Sequence, residues 1–166
     1  MEGLDVLVLA FQMEVNGADF YCEFAGRVSD PEMSGVLEEL AKMEEEHITY
    51  IAGKIAEIRA KYRNLPDVPN LGIDLYKRRQ DTMNVEKHLI EENLGKYFIL
   101  RMAYYIEKDF FDFYSRAAEK QSGDTKNVFG NLMNWEKSHI DKIVNLADKF
   151  IKEKGLNPDI YSLEGL

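Results

Sequence analysis

Apolar residues recur every three or four positions through four long stretches of the chain, the spacing of amphipathic helices. From 3 to 28 the series is Leu7, Phe11, Ala18, Tyr21, Ala25 and Val28. Ser29-Asp30-Pro31 interrupts it. Asp30 can cap a helix, and Pro31 suits the first helical position, where a missing N–H costs nothing. A second helix is predicted from about Pro31 to Tyr62, with Val36, Leu37, Leu40, Ile48, Ile51, Ile55 and Ile58 along one side. Residues 63 to about 84 carry Pro66, Pro69 and Gly72, hold no sustained period, and read as a connection. A third helix starts between Val85 and Asn93 and ends near Lys120. Ser122-Gly123-Asp124 is a turn, with Asp124 as candidate cap. A fourth helix then runs from about Thr125 to Lys154, where Gly155 and Asn157-Pro158 stop it. No stretch alternates as a strand of comparable strength would. The predicted class is all-α, with residues 1–154 forming a four-helix bundle and 155–166 a short tail.

The chain also repeats itself. Glu14-x5-Phe20-Tyr21-x3-Ala25 matches Glu107-x5-Phe113-Tyr114-x3-Ala118 at an offset of 93. Val36, Leu40, Glu44, His47, Ile48 and Ile51 match Val128, Leu132, Glu136, His139, Ile140 and Ile143 at an offset of 92. Each half is therefore a helical hairpin of one design. If helices two and three run parallel, their link must cross the bundle. About 45 Å of helix needs at least roughly 13 extended residues, and 63–84 is ample.

Composition narrows the function classes. The chain has 166 residues and a formal net charge of −9, which argues against a nucleic-acid or anionic-membrane binder. The longest apolar run, Val6 to Phe11, is too short to span a bilayer. The start, Met1-Glu2-Gly3-Leu4-Asp5, lacks the basic opening of a signal peptide, so the cytoplasm is the expected compartment. One cysteine, Cys22, excludes an internal disulfide framework and a thiolate-ligated metal site within the chain.

Two of the three histidines sit in Glu-x-x-His: Glu44 with His47, and Glu136 with His139. Positions i and i+3 share a helix face, so both side chains can reach one ion. A single copy in a glutamate-rich helix would be an ordinary surface pair. The hairpin geometry changes that. Glu14 and Glu44 each lie 15 residues from the first turn, roughly 22 Å along the helix at about 1.5 Å per residue. Glu107 and Glu136 lie 15 and 14 residues from the second turn. Apolar residues flank all four, for example Leu7, Ala10, Ala18 and Tyr21 around Glu14. Unpaired carboxylates in a core are costly or take up protons, whereas two divalent cations cancel four negative charges. Carboxylate and imidazole without thiolate suit iron or manganese, and zinc less specifically. Tyr21 and Tyr114 lie two turns beyond Glu14 and Glu107 on the same faces, placed to hydrogen-bond the carboxylates. His88 lacks the motif and reads as a surface residue. Trp135 aligns with Met43 in the repeat and reads as core or interface.

Four glutamates and two histidines in a four-helix bundle is the arrangement of di-iron and di-manganese carboxylate proteins. Met13-Glu14-x5-Phe20-Tyr21, Glu44-x-x-His47, Glu107-x5-Phe113-Tyr114 and Glu136-x-x-His139 together resemble the rubrerythrin branch of the ferritin-like superfamily, over about residues 3–154. The resemblance implies a ferritin-like bundle with one long crossover between helices two and three. It implies two iron ions held by Glu14, Glu44, His47, Glu107, Glu136 and His139, with the histidines as terminal nitrogen ligands and some carboxylates bridging. The sequence departs from the family twice. Rubrerythrins usually carry a rubredoxin-like domain whose iron is held by four cysteines, which this chain's single cysteine cannot build. Many also place a further glutamate one turn after the third-helix ligand, where this chain has Phe110.

The expected function is that of a non-haem di-iron protein reacting with O2 or hydrogen peroxide, an oxidoreductase of peroxidase or ferroxidase type. An external electron donor such as a rubredoxin-like protein would replace the missing domain, and a homodimer is compatible with the sequence. The alternative is non-catalytic iron binding, for storage or delivery. A metal-free interaction module would need polar faces around the glutamates, and these faces are apolar.

Overall fold

The apolar stripes close on one another as the spacing requires. The computed structural model describes residues 3–61 and 93–163. It places helices α1 at Leu4–Ala25, α2 at Pro31–Lys61, α3 at Asn93–Lys120, α4 at Gly123–Glu153 and a short α5 at Pro158–Tyr161. Along α1 the buried face runs Leu7, Ala10, Glu14, Ala18, Tyr21 and Ala25, so a carboxylate sits inside a helical stripe that is otherwise apolar or aromatic. The face of α2 runs Leu37, Leu40, Glu44, His47 and Ile51, while Ile55 and Ile58 beyond it are half-buried. Leu100, Ala103, Ile106 and Phe110 of α3 and Phe129, Leu132, Ile143 and Ala147 of α4 complete the core.

Helices α1 and α2 pack as one hairpin, α3 and α4 as the other. Three contacts fix how the hairpins meet. Lys149 reaches Glu32, Lys142 reaches Glu39 at 2.5 Å, and Asn131 reaches the Tyr50 hydroxyl at 3.1 Å. As the α2 number rises the α4 number falls equally, so these two helices are antiparallel. Gly3 lies against Gln121 and Thr125 while Tyr21 reaches Glu107, so α1 and α3 are antiparallel as well. Helices α2 and α3 therefore run parallel, and the end of one and the start of the other lie at opposite ends of the bundle. The connection expected at about 63–84 lies outside the described residues, as does His88.

Helix ends follow local chemistry. Asp30 Oδ1 accepts hydrogen bonds from the backbone N–H groups of Glu32 and Met33 at 3.2 and 3.1 Å, and its Oδ2 accepts one from Lys96 at 3.2 Å. The expected cap at Asp124 is corrected. Ser122 holds the cap position in an extended conformation, without a side-chain bond, and Asp124 lies inside the first turn. There its charge still complements the helix dipole. Gly155 ends α4 at φ 62°, with Gly155 N–H donating to Lys152 O at 3.3 Å and Leu156 N–H to Ile151 O at 3.0 Å. That left-handed closure favours glycine. The tail beyond it docks on the bundle: the Tyr161 ring meets Tyr97 edge-on at 5.0 Å, and Leu163 is buried. Among the described residues no helix is long and apolar enough to cross a membrane.

Candidate metal centre

Halfway along the bundle, each of the four long helices contributes one buried carboxyl group. Glu14 from α1, Glu44 from α2, Glu107 from α3 and Glu136 from α4 are all fully shielded from solvent, with His47 4% and His139 0% exposed. The structure thus brings all six sequence-selected residues together. Two overlapping groups form, Glu14-Glu44-His47-Glu136 and Glu44-Glu107-Glu136-His139, with the candidate ligand atoms in each within 4.8 Å of one another.

The geometry has a two-fold character inherited from the repeat. His47 Nδ1 lies 3.3 Å from Glu14 Oε2, 3.1 Å from Glu44 Oε2 and 3.2 Å from Glu136 Oε1. His139 Nδ1 lies 3.0 Å from Glu107 Oε2, 3.3 Å from Glu44 Oε1 and 3.1 Å from Glu136 Oε2. Glu14 and Glu107 each serve one histidine. Glu44 and Glu136 each turn one oxygen to either histidine and so span both halves. The tyrosines cross over: Tyr21 of α1 donates to Glu107 Oε1 on α3, and Tyr114 of α3 donates to Glu14 Oε1 on α1. Spacing alone pairs each tyrosine with the carboxylate of its own helix. The antiparallel contact of α1 and α3 pairs it with the other.

A cation fits this donor set. One ring nitrogen carries at most one proton, yet three carboxylate oxygens converge on each Nδ1, so most of these contacts cannot be hydrogen bonds. The four oxygens of Glu44 and Glu136 are buried and have no hydrogen-bond partner among the described residues. Buried polar atoms are nearly always satisfied, and carboxylate oxygens gathered beside each histidine leave a metal ion as the natural partner.

Without a metal, protons take over part of that role. Burial pushes the Glu14 carboxyl up to about 8, and the neighbouring Glu44 carboxylate adds to the push. Burial raises Glu107 as well, the Glu136 charge reinforcing it against a lowering bond from His139. Burial alone would lower both histidines. The carboxylates of Glu136, Glu14 and Glu44 gathered around its ring outweigh it and hold His47 far above its ordinary value. His139 is pushed up to about 12 by Glu107, Glu136 and Glu44. Burial, then the Glu14 charge, keeps the Tyr114 hydroxyl protonated, so it remains a donor.

Two features were not legible in the spacing. Gly17 and Phe110 occupy equivalent positions of the repeat, and they meet: a Cβ on Gly17 would lie 3.2 Å from Phe110 Cε2 and 3.6 Å from Glu44 Cγ. Phe110 thus fills the space a side chain at Gly17 would take, and walls the site with an apolar ring. Trp135 is 37% exposed, and its ring stacks on His47 at 5.0 Å and 15°. The available signal for it was its place beside Glu136, four residues before His139.

The bundle and its buried acid–histidine clusters define a helical protein equipped to hold metal. A sequence model described as Rubrerythrin matches residues 5–147, and the chain belongs to that family, with its ferritin-like fold. No curated protein and no solved structure matches the chain.

Proposed function

We propose that the chain binds two iron ions at this centre and reacts there with O2 or hydrogen peroxide. The observation that carries the reading is the division of Glu44 and Glu136, each with one oxygen toward either histidine. Donors so split serve two adjacent ions. In the proposed centre Glu44 and Glu136 would serve both ions, Glu14 with His47 would hold one, and Glu107 with His139 would hold the other. Four glutamates offset the charge of two divalent ions, and carboxylate with imidazole suits iron. A pair of irons supplies one electron each, which lets an oxidant needing two be reduced in one place. The protein's part is to fix geometry: Tyr21 and Tyr114 hold the outer oxygens of Glu107 and Glu14, and Phe110 keeps one wall dry.

The test is an anaerobic titration with ferrous iron followed by peroxide, with and without reductant. The expected results are two ions per chain and an optical change on oxidation that reductant reverses through many cycles. A single ion per chain would refute the proposed pair. Two ions with one unrepeatable oxidation would favour storage or delivery.

A further inference from the structure

At one position of the repeat, beside the buried glutamates, Met43 of the first half corresponds to Trp135 of the second. That difference has a geometric result. The Trp135 ring, 37% exposed, lies 5.0 Å from the His47 ring. The His47 ring in turn stacks on the His139 ring at 5.0 Å, with planes 2° apart. Three π systems therefore run in a column from the surface to the middle of the core. Tyr50 meets Trp135 edge-on at 5.1 Å, and Asn131 fixes Tyr50 through its hydroxyl at 3.1 Å. The outer end of the column is thus held in place. The carboxylates offer no comparable conjugated route, since all four are shielded from solvent.

We propose that Trp135 is the port through which electrons enter the centre, acting through His47. Tunnelling falls steeply with the gap between π systems, so a stacked column that begins at the surface dominates over routes through aliphatic packing. The donor is an obligate one-electron carrier that comes up to the indole without entering the core. Each donor molecule loses one electron and one ferric ion becomes ferrous, so two donors restore the pair. No bond in the protein is made or broken. Trp135 touches neither metal nor oxidant and is a positioning and relay residue. The proposal rests on the di-iron reading for its function, whereas the column itself can be tested without metal.

Two experiments test it. The first uses the metal-free protein and the fluorescence of Trp135, the sole tryptophan in the chain. A histidine ring stacked on the indole quenches its excited state, so His47→Leu should brighten the emission severalfold. Unchanged emission would mean the rings are not coupled and would overturn the proposal whatever metal the protein binds. The second follows reduction of the oxidised, iron-loaded protein by reduced methyl viologen in stopped flow. Trp135→Ala should slow reduction on the order of tenfold. Trp135→Phe, which keeps a stacked ring, should stay near the wild-type rate. Metal content and the rate of peroxide oxidation should be unchanged in both. Equal reduction rates for the alanine variant and wild type would overturn the proposal. So would parallel loss of rate and metal, because the ring would then only be holding His47.

Discussion

Protons released on metal binding give the most direct check on the electrostatics of the core. In the metal-free protein His47 and His139 are held protonated at neutral pH, and the carboxyls of Glu14 and Glu107 are raised, Glu14 to about 8. Ligands must shed these protons to coordinate an ion. Loading two divalent ions at pH 7 should therefore expel about four protons per chain. By linkage, the product of the two affinities should rise on the order of 10⁴-fold per pH unit near neutrality. The sign for stability of the metal-free form is opposite. Folded-state values above the unfolded ones mean that protons favour the native state, so stability is greatest in acid, declines through about 8 as Glu14 and Glu107 ionise, and falls further toward about 12 as His139 loses its proton. The assay is calorimetric titration with Mn²⁺ under anaerobic conditions in two buffers of different ionisation enthalpy. The slope of observed heat against that enthalpy counts the protons. A slope near zero would refute the reasoning, since it would mean neutral histidines and ionised carboxylates already coexist in the empty core.

Further expectations concern single side chains. Glu44→Ala and Glu136→Ala should each compromise both ion positions, while Glu45→Ala, on the exposed face, should leave binding intact; metal analysis after dialysis decides. Tyr21→Phe and Tyr114→Phe should weaken metal binding by about 10–100-fold with the fold retained, as read by competition with a chelator. Gly17→Ala gains about 1 kcal/mol of helix propensity but drives a methyl group to 3.2 Å from Phe110, so a net loss of about 1 kcal/mol is expected. Adding Phe110→Leu should recover that loss, and denaturant unfolding of the double-mutant cycle would expose any failure to couple. Leu163→Ala should cost about 2 kcal/mol in the same assay, because the tail buries that side chain against the bundle.

Helices, hairpins and the six chemical positions were legible because a repeating apolar period and a repeated Glu-x-x-His constrain one another. Glu14 is conspicuous in the sequence only because Leu7, Ala10, Ala18 and Tyr21 surround it at helical spacing. What the spacing could not supply was the relation between helices remote in sequence. The exchange of Tyr21 and Tyr114 between carboxylates depends on how α1 slides against α3. The fit of Phe110 over Gly17 depends on the same register. The stacking of Trp135 on His47 stayed hidden because a large aromatic residue beside an apolar stripe satisfies burial equally well as core or as rim. Asp124 misled as a cap because Asp is as favourable in the first turn as before it.

Neither hairpin contains a complete site. The group around His47 takes Glu14 and Glu44 from the first hairpin and Glu136 from the second, and the group around His139 takes Glu44 from the first and the rest from the second. Capture of an ion here would consequently couple to the docking of the two halves. A bound ion would act as a rivet across the seam, leaving the interior of each hairpin untouched. Losing it should first let the halves part, with α1 still on α2 and α3 still on α4.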